Sequence, residues 1–126
     1  MELFTGIDIV ENNRIEKAYK KYGKRFLDRI YTQKEQEYCL KKTDPIPCLS
    51  ARFAAKEAFV KAFNQAFGKN LSYKDIEILG RYNKPAQILL HYQGFTDDTY
   101  QNRLKYTLSI SHERNYSVAT VIIYIV

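Results

Sequence analysis

The chain has 126 residues, which fits one domain with a modest core spanning residues 1–126. A hydrophobic share of 45% rules out a disordered chain, and no apolar run approaches the roughly 20 residues a membrane-crossing helix requires. The net charge of +6 calls for an acidic counterpart: nucleic acid, a membrane surface, an acidic protein or a phosphate-rich ligand. The first residues, Met1-Glu2-Leu3-Phe4, lack the basic and apolar regions of a secretory signal, so a cytoplasmic location is expected, with no membrane partner. Two cysteines, Cys39 and Cys48, are too few for a disulfide framework and lack zinc-site spacing. Both are expected to be free thiols in a reducing compartment.

Leu3 to Val10 alternates as a strand, with Leu3, Thr5, Ile7 and Ile9 on one face and Phe4, Gly6, Asp8 and Val10 on the other. Asn12 or Asn13 can cap a helix to about Tyr22, and Gly23 separates it from a short helix near Arg25–Ile30. From Arg14 to Arg29 seven basic residues stand against Glu16 and Asp28, a one-sided face suited to an acidic partner. Thr32 with Glu35 forms a capping box for a helix to about Lys42, which Asp44-Pro45-Ile46-Pro47 ends. Cys48 to Phe67 is the longest helical stretch, stopped by Gly68. Strands follow at Asp75–Leu79 and Gln87–Tyr92, a short helix at about Thr96–Leu104, and strands at Tyr106–Ser111 and Tyr116–Val126. The fold class expected from this order is α+β, with a small antiparallel sheet packed on a long central helix and shorter helices.

Three patches carry chemistry. Asp8 lies within Gly6-Ile7-Asp8-Ile9-Val10, where a covered carboxylate needs a cation, hydrogen bonds or a metal. From the local sequence alone, helix capping or an arginine pair is the favoured account of it. On a helical wheel Ala54, Ala58, Ala62 and Ala66 form a stripe of small residues. Glu57 and Lys61 share a narrow polar strip between apolar flanks, while Arg52 and Lys56 form a second strip. Glu57 with Lys61 also fits a simple i,i+4 ion pair, and Arg52 with Lys56 a solvated edge. Taken together, two carboxylates beside several cations are what a magnesium ion and phosphate oxygens require. His112 ends a strand, where a turn can expose it, whereas His91 has no context that suggests a role. Walker, dinucleotide-binding, zinc and nucleophile-elbow motifs are absent from the sequence.

The patches Gly6-Ile7-Asp8-Ile9-Val10-Glu11 with Arg14-Ile15, Arg52-Phe53-Ala54-Ala55-Lys56-Glu57-Ala58-Phe59-Val60-Lys61-Ala62, and Ile110-Ser111-His112-Glu113 resemble, in this order, the small bacterial holo-acyl-carrier-protein synthases, a phosphopantetheinyl transferase family. The likeness extends over essentially the whole chain. It departs at Asn64-Gln65-Ala66-Phe67-Gly68, which keeps one glycine of a glycine-rich turn, and at Asn83-Lys84-Pro85, where the family has Gly-Lys-Pro.

The resemblance implies transfer of 4'-phosphopantetheine from coenzyme A to a serine of apo acyl carrier protein, a step serving fatty acid biosynthesis. It implies Asp8 and Glu57 as magnesium ligands and Lys61 beside the coenzyme A pyrophosphate. Glu57, or a metal-bound water it orients, would be the base. Arg52, Lys56 and His112 would line the coenzyme A site, and Arg14, Arg25 and Arg29 would dock the acidic carrier protein. The family also implies a homotrimer, explaining the alanine stripe and the apolar last strand.

The rival class is a nucleic-acid-binding module, favoured by the net charge and eleven tyrosines able to stack on bases. Carboxylates among the cations repel a phosphate backbone, and no nucleic-acid motif is present, so no nucleic-acid partner is expected. A third reading is an inactive member of the same fold.

Overall fold

The structure, a computed structural model, describes residues 1–81, 84–95 and 103–126. The chain opens with β1 (Glu2–Glu11), followed by helices α1 (Asn12–Tyr22), α2 (Lys24–Ile30), α3 (Gln33–Leu40) and α4 (Ile46–Phe67). A 3-10 turn (Tyr73–Asp75) leads into β2 (Ile76–Arg81) and β3 (Lys84–Leu90), and the chain closes with β4 (Leu104–His112) and β5 (Tyr116–Ile125). One antiparallel sheet has the order β1-β5-β4, and β2 pairs with β3 in a separate hairpin. This is the expected α+β arrangement. The expected helix at 96–104 falls mainly on residues outside those described, although Leu104 itself begins β4. Asn83 also lies outside them.

The expected alternation of β1 is present, and it decides what the sheet can touch. Gly6 and Val10 are buried against α4, while Leu3, Ile7 and Ile9 on the opposite face are 62%, 60% and 63% exposed. At Gly6 the strand runs directly over the helix: a Cβ there would sit 1.8 Å from the Ala58 carbonyl oxygen and 3.0 Å from the Ala62 nitrogen. Ala54, Ala58 and Ala62 are fully buried. The alanine stripe therefore seats this chain's own first strand, and no second copy is needed to explain it. Phe59 and Phe63 of α4, Val121 and Ile123 of β5, and Ile76 and Ile78 of β2 continue one core.

Several boundaries differ from expectation for local reasons. Pro47 lies in the first turn of α4, where its missing N–H would have had no helical partner. Asp44 accepts a hydrogen bond from the Ile46 amide at 3.1 Å at this entry. Asn12 is not a cap: its buried amide donates to the Glu113 and Arg114 carbonyls and accepts from the Ser117 hydroxyl, tying α1 to the β4–β5 turn. Gly68 ends α4 in the left-handed conformation at φ 66°, as expected for that stop. The expectation of free thiols is corrected: Cys39 and Cys48 form a disulfide, with Cα atoms 5.5 Å apart, because the end of α3 and the first turn of α4 face each other across the intervening loop.

The Thr32–Glu35 capping box forms as read, and Glu35 does more than cap. Its carboxylate is buried and accepts from the Ile78 amide at 2.9 Å and from Lys56 Nζ at 2.7 Å. Lys56 is 0% exposed and also donates to the Tyr73 and Ile76 carbonyls. The solvated-edge reading of Arg52 and Lys56 is thereby overturned, since Arg52 is only 6% exposed as well. His91 has a contact too, its Nε2 lying 3.2 Å from the buried Glu77 carboxylate. Removing one partner of a buried, fully bonded ion pair leaves an uncompensated charge in the core. Lys56→Met should lower unfolding free energy by about 3–5 kcal/mol in chemical denaturation; an unchanged midpoint and slope would show that the Glu35–Lys56 pair does not support the fold.

Candidate active site

Asp8 follows Gly6 by two residues and so projects toward α4 from the same face of β1. Lys61 reaches across from α4, donating to Asp8 Oδ1 at 3.1 Å and to the Ile7 carbonyl at 2.9 Å. Lys61 is thus committed to β1 rather than to an i,i+4 pair with Glu57. Glu57 stands one turn earlier on the helix, and its Oε1 accepts a hydrogen bond from the Tyr73 hydroxyl. Burial pushes the Asp8 carboxyl above its ordinary value. The Lys61 hydrogen bond and charge pull it down, the Glu57 charge pushes it up again, and Arg14 lowers it from further off. The two acids therefore feel one another across the β1–α4 seam, where Lys61 offsets part of their mutual repulsion.

The pair offers oxygen donors only. Among the described residues no group of three or more His, Cys, Asp and Glu side chains is placed to hold a metal. Two carboxylates, with remaining positions left to water and phosphate oxygens, match the way a hard cation such as magnesium is bound in phosphoryl-transfer sites. Asp8 and Glu57 fit that role chemically.

Tyr73 is a member of this cluster that nothing in the local sequence marked. It follows Ser72 in a tight turn whose Ser72–Asp75 box is the only visible signal. Burial first, then the hydrogen bond to Glu57 and that group's charge, push the Tyr73 hydroxyl up to about 12. It therefore keeps its proton and donates a hydrogen bond to Glu57. Arg29 acts in the opposite direction, which places its charge on the same cluster.

Arg25 and Arg29 are exposed and line a groove of about 470 Å³ floored by Phe26 and Ile30, with Tyr73 at its margin. Arg14 is exposed on α1 and contributes its charge to Asp8. Arg14 thus acts on Asp8 and Arg29 on Tyr73, while Arg25 shares the groove with Arg29.

Arg52 and His112 meet in a different groove of about 380 Å³ at the α3–α4 junction, bordered by Tyr38 and Lys42. The Arg52 guanidinium lies 4.6 Å from the Tyr38 ring centroid and donates to Cys48 Sγ at 3.2 Å, and its Nε has no hydrogen-bond partner among the described residues. Gly80 makes room for it: a Cβ there would meet Arg52 Nη2 at 2.5 Å. Lys56 is in neither groove. The expectation that Lys56 lines a ligand site is corrected, since Glu35 and two carbonyls take its donors inside the core.

The model of the 4'-phosphopantetheinyl transferase superfamily matches residues 5–121. The chain belongs to this superfamily. It is 46% identical over 118 residues to the holo-[acyl-carrier-protein] synthase of Aquifex aeolicus, covering 94% of this chain and 95% of that protein. Among solved structures, the Helicobacter pylori holo-[acyl-carrier-protein] synthase in complex with coenzyme A superposes with a TM-score of 0.74 at 34% identity, covering 94% of this chain and 98% of that one. The Chronobacterium ammoniagenes ACPS-CoA complex shares the fold with a TM-score of 0.81 over 100% of this chain, at 23% identity. The resemblance read from the three sequence patches is borne out, and in this transferase fold the first and second patches meet at the β1–α4 seam.

Proposed function

We propose that the chain is a magnesium-dependent holo-[acyl-carrier-protein] synthase. It transfers 4'-phosphopantetheine from coenzyme A to a serine of apo acyl carrier protein, leaving adenosine 3',5'-bisphosphate. The observation that carries this reading is the convergence of Asp8, Glu57 and Lys61 in a chain 46% identical to a named synthase. Asp8 and Glu57 would hold the magnesium ion. Bound there, it would act as a Lewis acid on the phosphate oxygens of coenzyme A. Lys61 carries a fixed positive charge beside Asp8 and would offset charge developing on the departing bisphosphate. The serine oxygen forms the new bond to the β-phosphorus as the bond to the bridging pyrophosphate oxygen breaks. Glu57, or a water that it orients on the metal, would take the serine proton.

Arg14, Arg25 and Arg29 would receive the carrier protein, bringing its serine to the margin of the acid pair. The groove containing Arg52 and His112 would take the phosphate-bearing part of coenzyme A, with Lys42 and the Arg52 guanidinium supplying positive charge at its wall. The proposal includes a role in fatty acid biosynthesis and a cytoplasmic enzyme. Among the described residues no helix is long and apolar enough to cross a membrane. It also includes a homotrimer, supported by Leu3, Ile7 and Ile9 standing in a row on the open sheet face with Ile122 of the neighbouring strand.

The test is intact-mass analysis of apo acyl carrier protein incubated with the chain, coenzyme A and magnesium; no mass increase would defeat the proposal. Asp8→Ala and Glu57→Ala should each cut turnover by more than about a hundredfold while circular dichroism stays unchanged. Arg25→Glu should raise KM for the carrier protein about tenfold and leave that for coenzyme A nearly unchanged, and equal loss of both would argue against separate sites. Sedimentation velocity should return three copies, which Ile7→Lys dissociates; a monomeric wild type would contradict the trimer.

A further inference from the structure

Lys56 and Glu57 are neighbours in sequence but point into different surroundings, about 100° apart around α4. One residue reconnects them. Lys56 Nζ donates to the Tyr73 backbone carbonyl at 2.9 Å, and the Tyr73 hydroxyl donates to Glu57 Oε1. The turn carrying Tyr73 is closed by Asp75, which accepts from both the Ser72 amide and the Ser72 hydroxyl. The ring packs on Phe53 of α4 with centroids 5.8 Å apart. Tyr73 is thus held at its backbone by a core cation, at its ring by an aromatic partner, and at its tip by an acid of the site. The same ring borders the groove of Arg25 and Arg29.

We propose that Tyr73 is a positioning residue of the transfer site: its hydroxyl fixes the Glu57 carboxylate, and its ring forms the joint between the acid pair and the arginine groove. This rests on the reading of Glu57 as a metal ligand. With Oε1 bound to the tyrosine, the rotation of the carboxylate is restricted, and Oε2 would be the oxygen left to meet the cation. Hydrogen-bond partners of metal ligands orient them in this way, and losing such a partner commonly costs 10–100-fold in affinity or activity. The Glu35–Lys56 pair acts behind it, since Lys56 sets the position of the turn from inside the core. The two parts of Tyr73 have separable consequences. The hydroxyl governs Glu57, and the ring governs the surface that receives the carrier protein.

The experiment compares Tyr73→Phe and Tyr73→Ala with the wild-type full chain. Mn2+ binding in the presence of coenzyme A is followed by electron paramagnetic resonance of the free ion, alongside steady-state kinetics and circular dichroism. Tyr73→Phe should weaken Mn2+ binding by about tenfold and lower kcat, with KM for the carrier protein and the fold unchanged. Tyr73→Ala should add a rise in KM for the carrier protein. Wild-type Mn2+ affinity and kcat in Tyr73→Phe would overturn the proposal. Unfolding of that variant would also overturn it, by making the hydroxyl a structural group. Failure of the wild type itself to bind Mn2+ with coenzyme A would instead remove the Asp8–Glu57 metal reading, and this inference with it.

Discussion

The close approach of β1 to α4 at Gly6 is the constraint on which the site depends. With no side chain at residue 6 and alanines at 54, 58 and 62, strand backbone meets helix backbone without intervening bulk. Asp8, two residues further on the same face, is then brought within reach of Lys61, and its carboxyl responds to Glu57. Any larger residue at position 6 would separate strand from helix and pull the acids apart. The small residues of the first two sequence motifs are therefore part of the chemistry, because they set the distance over which the charged ones act.

The helix that supplies Glu57 and Lys61 also carries two cations into its buried side. Lys56 meets Glu35 in the core, and Arg52 stacks on Tyr38 beside Gly80. Buried ion pairs add little net stability, because desolvation offsets the attraction between the charges. What this pair contributes is location, since it ties α3, α4 and the Tyr73 turn to one point. Position along α4 thus separates the structural charges from those that face the seam, although all four lie within ten consecutive residues.

Much of this was legible in the sequence because period and punctuation survive in the fold. The β1 alternation, the Thr32–Glu35 cap and the Gly68 stop depend on neighbours a few residues away, and each is found where the pattern put it. Pro47 misled because proline is tolerated in a first helical turn, so it marks a beginning as readily as an end. Lys56 misled because a helical wheel ranks faces by polarity and cannot show that Glu35, twenty-one residues earlier, supplies a buried counter-charge. The Cys39–Cys48 bond and the place of Tyr73 depend on how separate elements pack, and neither leaves a local pattern. The family likeness reached further than local reading, since it paired Asp8 with Glu57 across some fifty residues of chain, and the fold brings the two within electrostatic reach. It carried Lys56 to the wrong surroundings for the same reason.

Arg25 and Arg29 line one groove, which Tyr73 joins to Glu57, and Arg52 and His112 line another. The central claim is that one divalent ion is shared by the first strand and the central helix. Its most direct test is a crystal structure of the chain with Mn2+ and coenzyme A, read by anomalous scattering at the manganese edge. A single peak bonded to carboxylate oxygens of both Asp8 and Glu57 is the predicted result. A peak bonded to only one of them, or found elsewhere with Asp8 still bound to Lys61 alone, would contradict it.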